Sequence, residues 1–225
     1  MVLDYRVSRP RNEYARGFDL PDKSSFGRSL YIRVGKPTFD RICAACLLVL
    51  LSPVMSVIAL VLRLALGPGV LLRQMRIGHG GVPFELVKFR TMTPCRRKSD
   101  VVVPIERRVC HKTESDPRHT AVGRFLRKWS LDELPEFWNV LAGQMSIVGP
   151  RPELPSVVAG YADWQHERHE VKPGLTGLWQ VSHRGEGMMH DFTHVDLDYV
   201  RYVSPGLDLR ILATTPIALL KRRGS

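Results

Sequence analysis

Several short motifs that mark large enzyme classes are missing from these 225 residues. There is no G-x-x-x-x-G-K-[ST], no G-x-G-x-x-G behind a strand, no G-x-S-x-G and no H-E-x-x-H, which argues against P-loop and Rossmann enzymes in particular. Cysteine is scarce. Cys43, Cys46, Cys95 and Cys110 are too few for a disulfide scaffold, and Cys43-Ala-Ala-Cys46 lies in an apolar run with no second pair at metal spacing. Reduced thiols in a cytoplasmic compartment are expected. Acidic residues are also short, 22 against 33 Lys and Arg, and the resulting charge of +11 draws the chain to phosphate-rich surfaces. Nucleic acid, anionic lipid and nucleotide substrates are all compatible with that total. A hydrophobic share of 44% excludes wholesale disorder.

Charge itself is missing from Ile42 to Leu62, and about 20 such residues are needed to cross a bilayer core as a helix. In the middle stand Ser52 and Pro53, where the proline removes a backbone donor and predicts a kink. The helix either spans with a bend or turns at Ser52-Pro53 and leaves by the face it entered. Basic residues outnumber acidic ones on both flanks, for example Arg28, Arg33, Lys36 and Arg41 before, and Arg63, Arg73, Arg76 and Lys88 after. Lys and Arg collect on the cytoplasmic side, so both flanks favour the same side and re-entry ranks above a kinked span. A buried core helix ranks last, because a chain of this size has little protein to wrap around it.

Residues 70 to 91 read as two strands joined through Gly78-His79-Gly80-Gly81. Helices are expected near 116–129, 133–142, up to His169, 191–203 and 206–220. The last of these is apolar with a basic tail and suits either a membrane interface or the core. The expected fold is α+β: mostly helical with a small β-hairpin or sheet, a re-entrant helix-break-helix membrane anchor and interfacial amphipathic helices. Residues 1–35 form a polar, loosely ordered tail, 36–66 the re-entrant helix, and 67–225 a catalytic domain on the cytoplasmic face.

His190 with His194, and His166 with His169, lack an acidic partner in zinc order and read as surface histidines. The stretch from Arg124 to Pro152 is richer in chemistry. Asp132 and Glu133 are adjacent, and Ser130-Leu-Asp-Glu133 also fits a capping box, a purely structural role. Arg151 sits between Pro150 and Pro152, which fix its backbone and hold a guanidinium fork ready for an anion. A diphosphate-handling enzyme needs a cation for phosphoryl oxygens, a carboxylate for a divalent metal and an in-line nucleophile. Asp132, Glu133, Lys88, Arg127 and Arg151 can supply them.

With the Ser52-Pro53 break, RQMRIGHGGVPFELVKFRTM at 73–92, LRKWSLDELPEFWNVLAGQMSIVGPRPELP at 126–155 and VKPGLTGLWQV at 171–181, the chain resembles the monotopic phosphoglycosyl transferases, bacterial sugar transferases also called polyprenyl-phosphate glycosylphosphotransferases. The resemblance threads residues 36–220. It implies transfer of a sugar 1-phosphate from a nucleoside diphosphate sugar, usually a UDP-hexose, to polyprenyl (undecaprenyl) phosphate, releasing UMP and starting an exopolysaccharide or other glycoconjugate. It implies Asp132 as nucleophile of a covalent phosphosugar intermediate, Glu133 as its assistant, and Mg2+ held partly by Asp132. Lys88, Arg127 and Arg151 match basic residues near that site, and Arg184 matches one for the nucleotide phosphate.

The resemblance also implies that the helix turns back at Ser52-Pro53, with the active site on the cytoplasmic face of the inner membrane. Assembly as a homo-oligomer is compatible with it. Two departures stand out: Lys36-Pro37 where the family often has Lys-Arg, and Gln144 where an acid is common. The multi-span N-terminal domain of long members is not read here, which implies the short form. A catalytically inactive membrane scaffold that binds lipid phosphates is the alternative. Nucleic acid is not expected as a partner, since the basic residues form no reading helix and the apolar run has no use in that role.

Overall fold

Proline should open a helix at residue 53, yet helix α1 (Lys36–Leu66) runs through it, following a π-helical turn at Tyr31–Gly35. The computed structural model describes residues 30–92, 120–182 and 192–221. The tail up to residue 29, Cys95, Cys110, Arg184 and His190 fall outside the described residues. Pro53 cannot donate to Val49 one turn earlier, and the Ser52 hydroxyl donates to that carbonyl instead, at 2.8 Å. Ser56 Oγ donates in the same way to Ser52 O, at 2.8 Å. Such satisfaction matters in a bilayer core, where no water serves an orphan carbonyl. Helix α1 is long and apolar enough to cross a membrane.

Both ends of α1 are held by the same folded body. At the start, Lys36 Nζ pairs with Asp208 Oδ2 at 2.6 Å, and Asp40 Oδ1 accepts from Ile147 N at 3.1 Å. Lys36 thus has a carboxylate partner without the arginine that Pro37 replaces. At the far end, Arg90 Nη2 donates to Leu66 O at 2.9 Å and Gly67 O at 3.3 Å, taking carbonyls the helix terminus leaves unpaired. Ala44 and Leu48 are buried before the proline, Ile58 and Leu62 after it. Between and around them Val49, Leu50 and Leu64 are 77%, 71% and 79% exposed, an apolar face left open by the described residues.

Strands β1 (Leu71–Ile77) and β2 (Pro83–Phe89) form the antiparallel hairpin read from the sequence, with Leu71 opposite Phe89 and Ile77 opposite Pro83. Helix α2 (Ala121–Lys128) is capped by Thr120 Oγ1, which accepts from Gly123 N at 3.0 Å. The helix expected over 133–142 is instead a 3-10 turn, Leu131–Glu136, followed by the short α3 (Phe137–Leu141). Pro135 lacks an amide for the α ladder, which suits the tighter turn.

Strand β3 (Ser146–Val148) pairs in parallel with β4 (Gly174–Thr176). The helix expected up to His169 divides into α4 (Pro155–Val158) and a 3-10 stretch, Asp163–Glu170, on either side of Gly160. Helices α5 (Leu178–Ser182), α6 (Thr193–Tyr202) and α7 (Pro205–Lys221) complete an α+β fold. Helix α7 packs on the core through Leu207 and Ile211 and leaves Leu209, Ile217 and Leu220 exposed.

Two apolar clusters share β2. Phe84 and Leu86 join the main core with Val140, Ile147, Leu178 and Tyr199. Phe89 packs with Leu126 and the far half of α1 through Ile58 and Leu62. Successive strand residues point to opposite faces, so Lys88 follows Phe84 and Leu86 while Phe89 turns to α1.

Candidate active site

The 3-10 turn at Leu131–Glu136 sorts its residues by threes, because a period of three eclipses i and i+3. Leu131 and Leu134 settle on the Phe89 cluster. Glu133 and Glu136 share a second face, and Asp132 lies on the third with Pro135. Asp132 and Glu133 therefore stand on adjacent faces about 120° apart, and the charges of Lys88 and Arg151 act on both. Asn139 fixes this turn beside β2: its Oδ1 accepts from Val87 N at 3.0 Å and its Nδ2 donates to Glu85 O at 2.7 Å. Gln144 Oε1 accepts from the same amide group at 2.8 Å, a part an acid at that position would also play.

The capping-box reading fails here. Ser130 sits in the left-handed region at φ 55° and makes no side-chain cap. Glu133 points elsewhere, its Oε1 accepting from Arg151 Nη2.

Four carbonyls hold the Pro150-Arg151-Pro152 loop in place. Gly174 N donates to Pro150 O at 2.9 Å, and Ile77 N to Glu153 O at 3.0 Å. Arg168 Nη2 donates to Arg151 O at 2.9 Å, and Arg76 Nη1 to Pro152 O at 3.2 Å. Gly149 and Gly174 touch so closely that a methyl group on Gly174 would lie 2.1 Å from Gly149 N. Behind the loop, buried Arg168 also binds Asp196 Oδ2 at 2.5 Å and the Tyr161 hydroxyl. The backbone of Arg151 is therefore fixed from behind while its guanidinium faces Glu133.

Electrostatics tie Lys88, Asp132, Glu133, Glu136 and Arg151 into one cluster. Burial and the Glu133 charge raise Asp132 above the usual aspartate range, while Lys88 and Arg151 oppose the shift. Lys88 is lowered by burial, then by Arg151 and Arg76. Glu133 pushes Arg151 further up, so its guanidinium stays charged. A buried, partly desolvated carboxylate between two cations is a competent nucleophile toward phosphorus.

Of the residues singled out in the sequence, Asp132, Glu133, Lys88 and Arg151 come together. Arg127 is not among the charges with most influence on Asp132; its Nε donates to Gly123 O on its own helix, at 3.4 Å. Ser52 lies on the wall of an apolar cavity with Met55, Phe89, Pro135 and Trp138, about 310 Å³ in volume, between α1 and the turn that carries the acids.

Glu136 is the residue sequence reading missed. It is 2% exposed, its Oε1 has no hydrogen-bond partner among the described residues, and burial together with the Glu133 charge pushes it up to about 8. Its three-residue spacing from Glu133 was the available signal, but it points to a shared face only in a 3-10 turn. The folded chain keeps a proton here that the unfolded chain, with an ordinary value of 4.5, releases. Stability contributed by this group is therefore full below about pH 4.5 and declines as pH rises toward about 8. Glu136→Gln should flatten that decline, seen as a smaller difference in denaturation midpoint between pH 5 and pH 8 than in the parental chain. An unchanged slope would mean that Glu136 is ionised in the folded state.

A family model described as bacterial sugar transferase matches residues 31–222. The UDP-glucose:undecaprenyl-phosphate glucose-1-phosphate transferase of Klebsiella pneumoniae is 42% identical over 226 residues, covering 95% of this chain and 46% of that protein. The undecaprenyl-phosphate galactose phosphotransferase of Salmonella typhimurium is 38% identical, over 84% of this chain and 41% of its own length. The exopolysaccharide production protein ExoY of Rhizobium meliloti is 37% identical over 218 residues, 92% of this chain and 95% of that protein. The chain thus spans less than half of the first two relatives and nearly all of the third. With the matched region containing α1, the acidic turn and the Arg151 loop together, the chain belongs to the bacterial sugar transferase family.

Proposed function

We propose that this protein is a membrane-bound transferase that moves a sugar 1-phosphate from a UDP-sugar to polyprenyl phosphate, and so starts an exopolysaccharide or related glycoconjugate. The observation that carries the reading is the placement of Asp132 among Lys88, Glu133 and Arg151, beside an apolar cavity walled by α1.

In the first half-reaction the Asp132 carboxylate attacks the sugar-bearing phosphorus. A P–O bond to aspartate forms, the bridging P–O bond to the nucleoside phosphate breaks, and UMP leaves with that electron pair. Lys88 and Arg151 offset charge on the phosphoryl oxygens. In the second half-reaction a phosphate oxygen of the lipid attacks the same phosphorus, the aspartyl bond breaks, and a polyprenyl diphosphate sugar departs. Glu133 orients the incoming phosphate or takes its proton, and its contact with Arg151 keeps both aligned. The apolar cavity supplies a place for the first isoprene units next to Phe89 and Pro135.

Among the described residues no group of three or more His, Cys, Asp or Glu is arranged to hold a metal ion. That donor set still fits Mg2+, which takes one or two carboxylates plus substrate phosphates rather than a protein cage. Asp132 would be the protein ligand, and the bound ion would neutralise diphosphate charge. Purified protein should release UMP from at least one of a panel of UDP-sugars only when polyprenyl phosphate and magnesium are present, or in a single burst without the lipid. Failure across the panel with intact polyprenyl-phosphate binding would favour the inactive scaffold.

Both ends of α1 bond to one folded body, and a straight 31-residue helix is about 46 Å long, which supports a helix that enters and leaves by the cytoplasmic face. Cysteines introduced at Ser8 and Arg97 in a cysteine-free variant should both be shielded from a membrane-impermeant reagent in intact cells. Labelling at one position alone would mean a full span.

A further inference from the structure

Where α1 meets the folded body, two cations converge on a single glycine. A methyl group on Gly143 would lie 2.8 Å from Arg41 Nη2 and 3.6 Å from Lys172 Nζ. Neither Arg41 nor Lys172 has a hydrogen bond or ion pair with any of the described residues. One acid, Asp40, acts on Lys172 and pulls it up against burial and Arg41, while its Oδ1 accepts from Ile147 N at 3.1 Å. Gly143 follows α3, but the dipole of a five-residue helix offsets little of two full charges. Among the described residues two cations thus share the influence of one carboxylate, and the surplus positive charge suits an anion.

The position of the pair indicates which anion. Arg41 is the last charged residue before the apolar run that begins at Ile42, and Ile42 is itself 58% exposed. With α1 in the bilayer, Arg41 stands at headgroup depth, and Lys172, from the loop before β4, reaches the same level from the folded body. We propose that Arg41 and Lys172 form a binding site for the phosphate of an anionic phospholipid headgroup, apart from the Asp132 cluster. The site rests on the membrane reading of α1. It would fix the depth and rotation of the helix relative to the domain, because one headgroup bridges a residue of each. Burial and the neighbouring Arg41 lower Lys172, the penalty that a bound phosphate would reverse.

The test uses the full chain reconstituted in bilayers of phosphatidylcholine with a minority of phosphatidylglycerol, and reads the lipid retained after extraction by mass spectrometry. Juxtamembrane cations typically contribute several-fold each to anionic-lipid affinity, so the double variant Arg41→Gln/Lys172→Gln should retain roughly tenfold less phosphatidylglycerol. Arg201→Glu removes the same net charge on α6 and should leave retention unchanged. Equal retention in the double variant and this control would overturn the site. Displacement of the lipid by low millimolar inorganic phosphate would overturn the lipid assignment. A parental chain that enters neither pure phosphatidylcholine bilayers nor those with phosphatidylglycerol would refute the membrane reading, and the site with it.

Discussion

Replacing Asp132 with Asn should lower UMP release from the preferred UDP-sugar by at least about a thousandfold, with little change in stability. The amide has the shape of the carboxylate and fits the same buried position on the 3-10 turn. It lacks the charge that attacks phosphorus, and it leaves Glu133 as the carboxylate facing Lys88 and Arg151. Substrate binding should survive in part, since those cations still meet the diphosphate. Glu133→Gln should cost less, about a hundredfold, because a general base or an orienting group is worth about that much. Its loss should also free Arg151, so the apparent affinity for UDP-sugar should change as well as the rate. An Asp132→Asn protein that released UMP at the parental rate would remove Asp132 as nucleophile, and Glu133 or Glu136 would be next in line on the same turn.

How much of this site was legible in the sequence depends on how local its causes are. The hairpin was readable because glycines and alternating residues act over a few positions, and β1 and β2 follow the expected limits closely. The apolar run was readable for the same reason, and α1 covers it, continuing through Ser52 and Pro53 as one helix. What failed was the acidic turn. Ser130 to Glu133 spells a capping box, yet the pairing of Glu133 with Arg151 across 18 residues outweighs a cap worth about 1 kcal/mol. The contact that drives this is set by the 3-10 turn and by Asn139 bridging to β2, neither of which has a local signature. Arg168 carries no local mark of burial, and its place against Asp196 follows only from tertiary packing. The sugar stays hidden because a few hydrogen bonds decide among hexoses.

The largest effect on stability should come from Arg168. Its side chain is 2% exposed and joins Asp196 on α6, the Tyr161 hydroxyl and the carbonyl of Arg151, with Glu153 Oε1 3.9 Å away. Arg168→Leu would leave two buried carboxyl groups facing each other without a counter-charge, a loss of about 3–5 kcal/mol. Part of that should be avoided by proton uptake. Burial already raises Asp196 to about 6, against the pull of Arg168, and removing the arginine raises it further. The penalty should therefore be larger at pH 8 than at pH 5. Arg168→Leu/Asp196→Leu should recover a good part of it, since replacing a buried pair by apolar groups is far milder than halving it. Lysine at 168 should restore the charge but not the fork that reaches Asp196 and Arg151 O together, so stability should return more fully than UDP-sugar affinity. Denaturation midpoints of the detergent-solubilised protein at the two pH values, with KM for the sugar nucleotide, separate these outcomes. A single variant within about 1 kcal/mol of the parent at pH 8 would show that the Arg151 loop is held by Gly174, Ile77 and Arg76 alone.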